Sequence, residues 1–285
     1  MTRDADRSSG KGKPDGVWNG RQEGPVAVLS LMCPPINALD QSALDELAEI
    51  IGGIEGDAAV RVLVMMGGLD GIFCSGGDLR YWRNIRDPEV VSRSGREAFA
   101  RIERLPIPTI AAIDGHAIGD GLALALACDF RIASEKAMFR APEVMYGFIP
   151  GWGLIHRLAA LVGRASASEL LLSGRRVDAT CALEMGLVTR VVPPEHILEE
   201  VLVRAREMAA FSPAALRAAK CALSGADEVK CFETVWGQAD WQEGIDALLA
   251  KRIPIFGQTE TGGERHDFAR GVQADRAAGG RGSCC

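Results

Sequence analysis

Aromatic side chains are scarce in this chain of 285 residues: they make up 6% of it, with only 2 tyrosines. There are 4 histidines, none at metal-ligand spacing from a cysteine, and no CxxC pair, so the familiar zinc frameworks are excluded. No apolar run reaches the roughly 18 residues that a membrane-spanning helix needs. Met1 to Gly24 mixes Arg, Asp, Lys, Ser and Gly without an apolar stretch and is not expected to act as a secretory signal or an anchor. Positive charge is also in deficit. With 32 Lys and Arg against 38 Asp and Glu the net charge is −6, so neither nucleic acid nor an anionic membrane surface is an expected partner.

What is abundant is glycine, at 33 residues where average usage of roughly 7% gives about 20. With 13 prolines and no period of three, the excess is not collagen-like and must sit in loops, tails or places where backbone approaches something closely. A hydrophobic share of 47% is enough for a large core. Six of the 8 cysteines (Cys33, Cys74, Cys128, Cys181, Cys221 and Cys231) stand singly in apolar segments and read as buried thiols in a reducing cytoplasm. Cys284 and Cys285 end a polar tail and are poorly placed for a structural bridge.

Composition shifts mark both ends. Residues 1–23 and 259–285 read as disordered extensions, flanking an α/β core over 24–193 and a helical region over 194–258. In the core, Val26 to Met32 is a strand candidate. Leu44, Leu47, Ala48 and Ile51 recur at helical spacing behind a possible Asp40 cap. Val60 to Met66 and Thr109 to Ile113 are apolar runs of the kind that strands buried on both faces show. This alternation of strand and helix signals predicts an α/β fold. After Val192 the patterns are helical, as at Leu198, Val201, Leu202, Ala205, Met208 and Ala209.

Three segments carry the candidate chemistry. In Phe73-Cys74-Ser75-Gly76-Gly77-Asp78-Leu79 the glycines permit a sharp turn with uncovered amides, and Asp78 is placed to cap a helix. Asp114-Gly115-His116-Ala117-Ile118-Gly119-Asp120-Gly121-Leu122-Ala123 leads into an Ala/Leu-rich helix and exposes amides at its start, which suits an oxyanion or phosphate. Its glycine spacing is not that of a dinucleotide fingerprint. In Ala141-Pro142-Glu143-Val144-Met145-Tyr146-Gly147-Phe148-Ile149-Pro150-Gly151-Trp152-Gly153 a carboxylate lies in an apolar, Gly/Pro-constrained loop, where its pKa is expected to rise. His116 reads as a hydrogen-bonded structural residue, and His156 as a packing or surface one.

These segments, in this order and spacing, resemble the crotonase (enoyl-CoA hydratase/isomerase) superfamily from about Gly24 to Phe256. Further signatures are Pro35-Ile36-Asn37-Ala38-Leu39, Ile107-Pro108-Thr109-Ile110-Ala111-Ala112, Ala127-Cys128-Asp129-Phe130 and Phe211-Ser212-Pro213. The resemblance implies a spiral of β-β-α units followed by helices that build a trimer, often a dimer of trimers. It also implies an acyl thioester, usually of coenzyme A, bent between the first two loops, with its carbonyl gripped by the backbone amides of Gly77 and Asp120. Each such donor is worth about 3 kcal/mol of barrier when the enolate forms.

By the same resemblance Cys74, Ser75, Gly76, Asp78, Gly119 and Gly121 shape the substrate site. Tyr81, Trp82 and Trp152 are candidates for the acyl pocket or, as aromatics more often are, for the core. Lys251, opening a Lys-Arg-x-x-x-Phe pattern, would reach the CoA phosphates, from a neighbouring subunit or as one of a pair of solvated charges. No metal is expected, and no cofactor beyond the coenzyme A of the substrate.

The sequence departs from the two-carboxylate hydratase pattern. One family Glu position falls at Ala123, whereas the other is present as Glu143. A single Glu beside an oxyanion hole predicts proton shuttling, hence isomerisation of an enoyl-CoA, with roughly 10²–10⁴-fold from positioned proton transfer. Asp120 stands where the family more often has Gly. Its side chain is expected to face solvent or cap the helix, with a catalytic acid, and thus hydration or dehydration, as the alternative. Two further readings are a decarboxylase or dehydratase acting on acyl-CoA or an acyl carrier protein, and a non-catalytic CoA-binding member.

Overall fold

The computed structural model describes residues 16–257. The chain opens with a hairpin of β1 (Trp18–Glu23) and β2 (Val26–Leu31), then β3 (Ala38–Leu39) and helix α1 (Gln41–Gly56). Next come β4 (Val62–Gly67), β5 (Ile72–Cys74), β6 (Gly76–Gly77), α2 (Leu79–Trp82) and α3 (Pro88–Arg104). The pattern repeats as β7 (Thr109–Ile113), β8 (His116–Ile118) and α4 (Asp120–Leu126), and again as β9 (Phe130–Ser134), β10 (Met138–Arg140), a 3-10 turn (Glu143–Tyr146) and α5 (Leu154–Ser173). After β11 (Arg176–Asp178), α6 (Ala179–Glu184) and β12 (Arg190–Val192) the chain is helical: α7 (Ile197–Ala209), α8 (Pro213–Leu223), α9 (Glu228–Val235) and α10 (Ala239–Leu249).

The first strand of each repeat joins a six-stranded sheet in the order β1-β2-β4-β7-β9-β12, in which only the β1–β2 pair is antiparallel. The second strand joins a smaller sheet ordered β11-β10-β8-β5. This is the β-β-α spiral, and it places the site. Because β5, β8 and β10 are neighbours in the small sheet, the three loops that follow them leave its edge side by side.

Alternation along the large sheet separates two apolar layers. Leu29, Leu31, Leu63 and Met65 face α1, α3 and α4, whereas Val26, Val28, Val62 and Val64 face Val201, Leu202 and Ala205 of α7. Helix starts follow the side chains expected to cap them. Asp40 accepts from Ala43 N at 2.9 Å, and Ser212 accepts from Ala215 N at 3.1 Å with Pro213 in the first turn.

One boundary is corrected. Residues 18–23, read as the end of a disordered extension, form β1 in full register with β2. Glu46 of α1 accepts the Val17 and Trp18 amides, and Trp18 Nε1 donates to the Ala43 carbonyl at 2.8 Å. The strand escaped notice because one face of an edge strand is solvated, so its sequence WNGRQE is mostly polar. The remainder of that extension and the tail over 259–285, with Cys284 and Cys285, lie outside the described residues. Among the cysteines, Cys33, Cys74 and Cys128 are buried, but Cys221 is exposed on α8, contrary to the expectation for isolated thiols in apolar runs. No helix among the described residues is long and apolar enough to cross a membrane.

Candidate active site

The loop after β5 is built on Asn37. Its side chain is fully buried, accepting from Cys33 N at 2.8 Å and donating to the Ile72 and Phe73 carbonyls at 3.1 and 3.2 Å. That peg holds β3 beside β6, with Ala38 opposite Gly76 and Leu39 opposite Gly77. Asp78 N donates to the Leu39 carbonyl at 2.8 Å. Since successive amides of an extended strand point to opposite sides, the Gly77 N–H turns away from β3. Asp78 caps α2 by accepting from Arg80 and Tyr81 N, so its carboxylate is structural. Ser75 Oγ donates to the Ile36 carbonyl at 2.6 Å.

The second loop meets the first backbone to backbone. A Cβ on Gly121 would collide with the Cys74 carbonyl, and one on Gly76 would stand 3.0 Å from Asp120 N. Only residues without Cβ allow this approach. Asp120 opens α4, where the first amides have no acceptor within the helix. Gly119 N is held by the Arg140 carbonyl at 2.8 Å, which ties this loop to the end of β10.

Glu143 begins the third loop, three residues beyond that carbonyl. Its side chain is 5% exposed, its Oε2 has no hydrogen-bond partner, and burial pushes its pKa up. A Cβ on Gly119 would run into Glu143 Oε1, so the carboxylate lies directly on the second loop.

Asp120 corrects an expectation. It makes no capping bond, because Gly119 is the N-cap residue, and it does not face solvent: its Oδ1 is buried and unpartnered. Burial, and then the charge of Glu143, push its pKa up to about 7. The nearby Gly151 backbone offsets part of that rise, although Oδ1 receives no bond of normal geometry. Ala123 is fully buried, and Asp120 places a carboxyl one turn earlier on the same helix face.

The other candidates divide. Gly76 and Gly121 meet where the two loops touch, whereas Gly77 lies against Trp82 and Trp152 and Gly119 against Glu143. Cys74 is sealed beneath the loop contact, where burial raises its thiol to about 12 and its Sγ accepts from Gly76 N at 3.4 Å. Its side chain shapes the loop and is not a nucleophile. Trp82 and Trp152 are buried with ring centroids 5.8 Å apart, whereas Tyr81 is exposed at the surface. Lys251 is not brought to the loops within one chain. It is exposed in a left-handed conformation, and the residues after it run past Arg61, at the entry end of β4. His116, read as a hydrogen-bonded structural residue, and His156, read as a packing or surface one, are both exposed.

Asn37, Gly95 and Gly151 were not singled out from sequence as site residues. Asn37 alone left a signal, as an amide inside an apolar signature segment. Among the described residues no group of three or more His, Cys, Asp or Glu is placed to hold a metal ion.

Comparison with known proteins identifies the family. Residues 21–259 match the sequence profile of the family described as enoyl-CoA hydratase/isomerase. The chain is 37% identical over 232 residues to a probable mitochondrial enoyl-CoA hydratase 2 of Arabidopsis thaliana, covering 77% of each. It is 42% identical over 197 residues to the enoyl-CoA isomerase/hydratase fer4 of Mycosarcoma maydis, covering 65% of this chain and 72% of that one. Among solved structures, an enoyl-CoA hydratase from Bacillus anthracis superposes with a TM-score of 0.80 at 35% identity, over 84% of this chain and 98% of that one.

Proposed function

The chain belongs to the enoyl-CoA hydratase/isomerase family, and we propose that it adds water reversibly to a 2-enoyl thioester of coenzyme A, with Glu143 as base and Asp120 as acid. One observation carries this reading: two buried carboxyls, each with an oxygen that no protein group satisfies, lie together at the junction of the loops. Unsatisfied buried oxygens are costly, and a site that receives water or substrate there gives them partners.

The reaction follows from the arrangement. The thioester carbonyl takes hydrogen bonds from the Gly77 and Asp120 amides. A water bonded to the Glu143 carboxylate adds its oxygen to Cβ as Glu143 takes its proton, and the electron pair of the double bond moves onto the carbonyl oxygen. The two amides stabilise that enolate without reorganising. Protonation of Cα by Asp120 then restores the carbonyl and completes the 3-hydroxyacyl thioester. Burial and then the charge of Glu143 raise Asp120 to about 7, which suits it to the acid's role near neutral pH, with Glu143 as the base.

Isomerisation is a second reading, supported by the unpartnered Glu143 alone: one base can take a proton from Cα of a 3-enoyl thioester and return it to Cγ, or run the transfer in reverse. Subunit assembly follows the same family logic. The apolar surface on α8 to α10 (Phe232 and Trp236 half exposed, Leu223 at 90%) supports a homotrimer or a dimer of trimers.

Enoyl, 3-enoyl, 3-hydroxyacyl and malonyl thioesters assayed in D₂O with mass spectrometry test the reading. Water addition with deuterium delivered to Cα in the native enzyme, and loss of both in Asp120→Asn, is the expected result. Full hydration by Asp120→Asn removes the acid role. Release of CO₂ from malonyl thioesters alone replaces hydration by decarboxylation.

A further inference from the structure

Trp152 occupies a backbone conformation that bulky residues rarely adopt, with φ at +50°, and its side chain is nevertheless 3% exposed. The indole is pinned around its perimeter. Nε1 donates to the Val91 carbonyl of α3 at 2.7 Å, and the rings of Trp82 and Phe99 meet it edge to face at centroid distances of 5.8 and 5.6 Å. Two glycines make room for it. Gly95 interrupts α3 at a cost in helix propensity, and a Cβ there would enter the face of the indole at Cγ and Cδ2. At its far end, Cη2 lies 3.4 Å from where a Cβ on Gly77 would stand.

The indole therefore fills the span between α3 and the loop that carries the Gly77 amide. The residue before it, Gly151, lies against the Asp120 carboxylate. A thioester carbonyl held by the Gly77 amide would therefore stand beside the indoles of Trp152 and Trp82, which lie 3.1 to 3.4 Å from where a Cβ on Gly77 would be. Resting on the enoyl-thioester reading above, we propose that Trp152 closes the acyl pocket and restricts the enzyme to short-chain thioesters. The strained φ is the consequence of turning a large ring inward at a loop position, and the ring contacts hold it there.

The test compares crotonyl-CoA with decenoyl-CoA in steady-state hydration, and butyryl-CoA with decanoyl-CoA in calorimetric titration. The native enzyme is expected to prefer the short substrate by at least ~10-fold in kcat/KM, since a filled pocket rejects added methylenes at about that level. Trp152→Ala is expected to cut that preference by ~10-fold or more, with Trp152→Phe intermediate and better able to fold. Equal kcat/KM for both lengths in the native enzyme overturns the proposal, whatever becomes of the variants. A folded Trp152→Phe and Trp152→Ala pair with the native chain-length profile also overturns it. Discrimination between the saturated thioesters in titration without turnover of any enoyl substrate supports the wall and overturns the hydration reading.

Discussion

The loops around Glu143 and the helices α8 to α10 show two opposite ways of using one chain. The loops are finished by the subunit itself: Gly76 and Gly121 let two backbones touch, Asn37 fixes a third segment, and two carboxyls are enclosed with oxygens left unpartnered. The C-terminal helices are tethered rather than packed. Neither α8 nor α9 buries a residue, and Leu249 and Ile253 are 78% and 85% exposed. Their anchors are polar: Lys220 reaches Asp129 and the Ile107 carbonyl at 2.7 and 2.9 Å, and Ser212 Oγ bonds Asp240 at 2.6 Å. Unpartnered polar atoms lie inside the first region and exposed apolar side chains cover the second, the contrast on which the proposed site and the proposed subunit contact respectively rest.

The strongest way to test the first half of that contrast is Glu143→Gln. Turnover of every accepted thioester is expected to fall ~10²–10⁴-fold, measured by steady-state kinetics, with the thermal midpoint unchanged or raised. A raised midpoint is the informative outcome, because neutralising a buried carboxyl removes a group that burial disfavours in its charged form. Next in size is Gly121→Ala. Its methyl would meet the Cys74 carbonyl and move the amide of Asp120, so a loss of ~10²-fold in kcat is expected even where circular dichroism shows the fold retained.

A pH series sharpens the same contrast at Asp120. Its pKa rises on folding from 3.8 to about 7, so its neutral form is favoured in the native state. The contribution of this group to stability is therefore full below pH 3.8 and is lost as pH rises through about 7. Native protein is expected to lose thermal midpoint across this window from this group, and Asp120→Asn to flatten the loss. The smallest effect on chemistry is expected outside the loops. Trp236→Glu on the exposed helical face is expected to shift the mass seen by light scattering toward the monomer, with little change in the far-ultraviolet spectrum. An unchanged mass would remove the subunit half of the comparison.

Much of the architecture was legible in the sequence because its signals are local. The apolar runs of β2, β4 and β7 and the helical period of α1 and α7 depend only on which faces are buried, and the glycines at 76, 119 and 121 mark the loops whatever surrounds them. β1 was illegible because half of an edge strand is wet. The direction of Asp120 was also illegible: an aspartate at a helix start reads as a cap, and only the neighbouring Gly119 as the N-cap residue and the Glu143 loop folded over it turn the carboxyl inward. The role of Gly95 was equally illegible, because the Trp152 indole that lies on it is distant in sequence.

By itself, then, the sequence determined the α/β alternation, the three loops, the family and the presence of one enclosed acid at Glu143. Those properties follow from residue type and near-neighbour spacing. Only the tertiary structure decided that the acid has a partner, because the distance between Asp120 and Glu143 is set by two strands pairing side by side, β8 and β10, and not by any spacing along the chain. It likewise decided that the indole of Trp152 ends beneath Gly77. Burial and the approach of one charge to another arise from what surrounds a group in space, and that is a property of the fold.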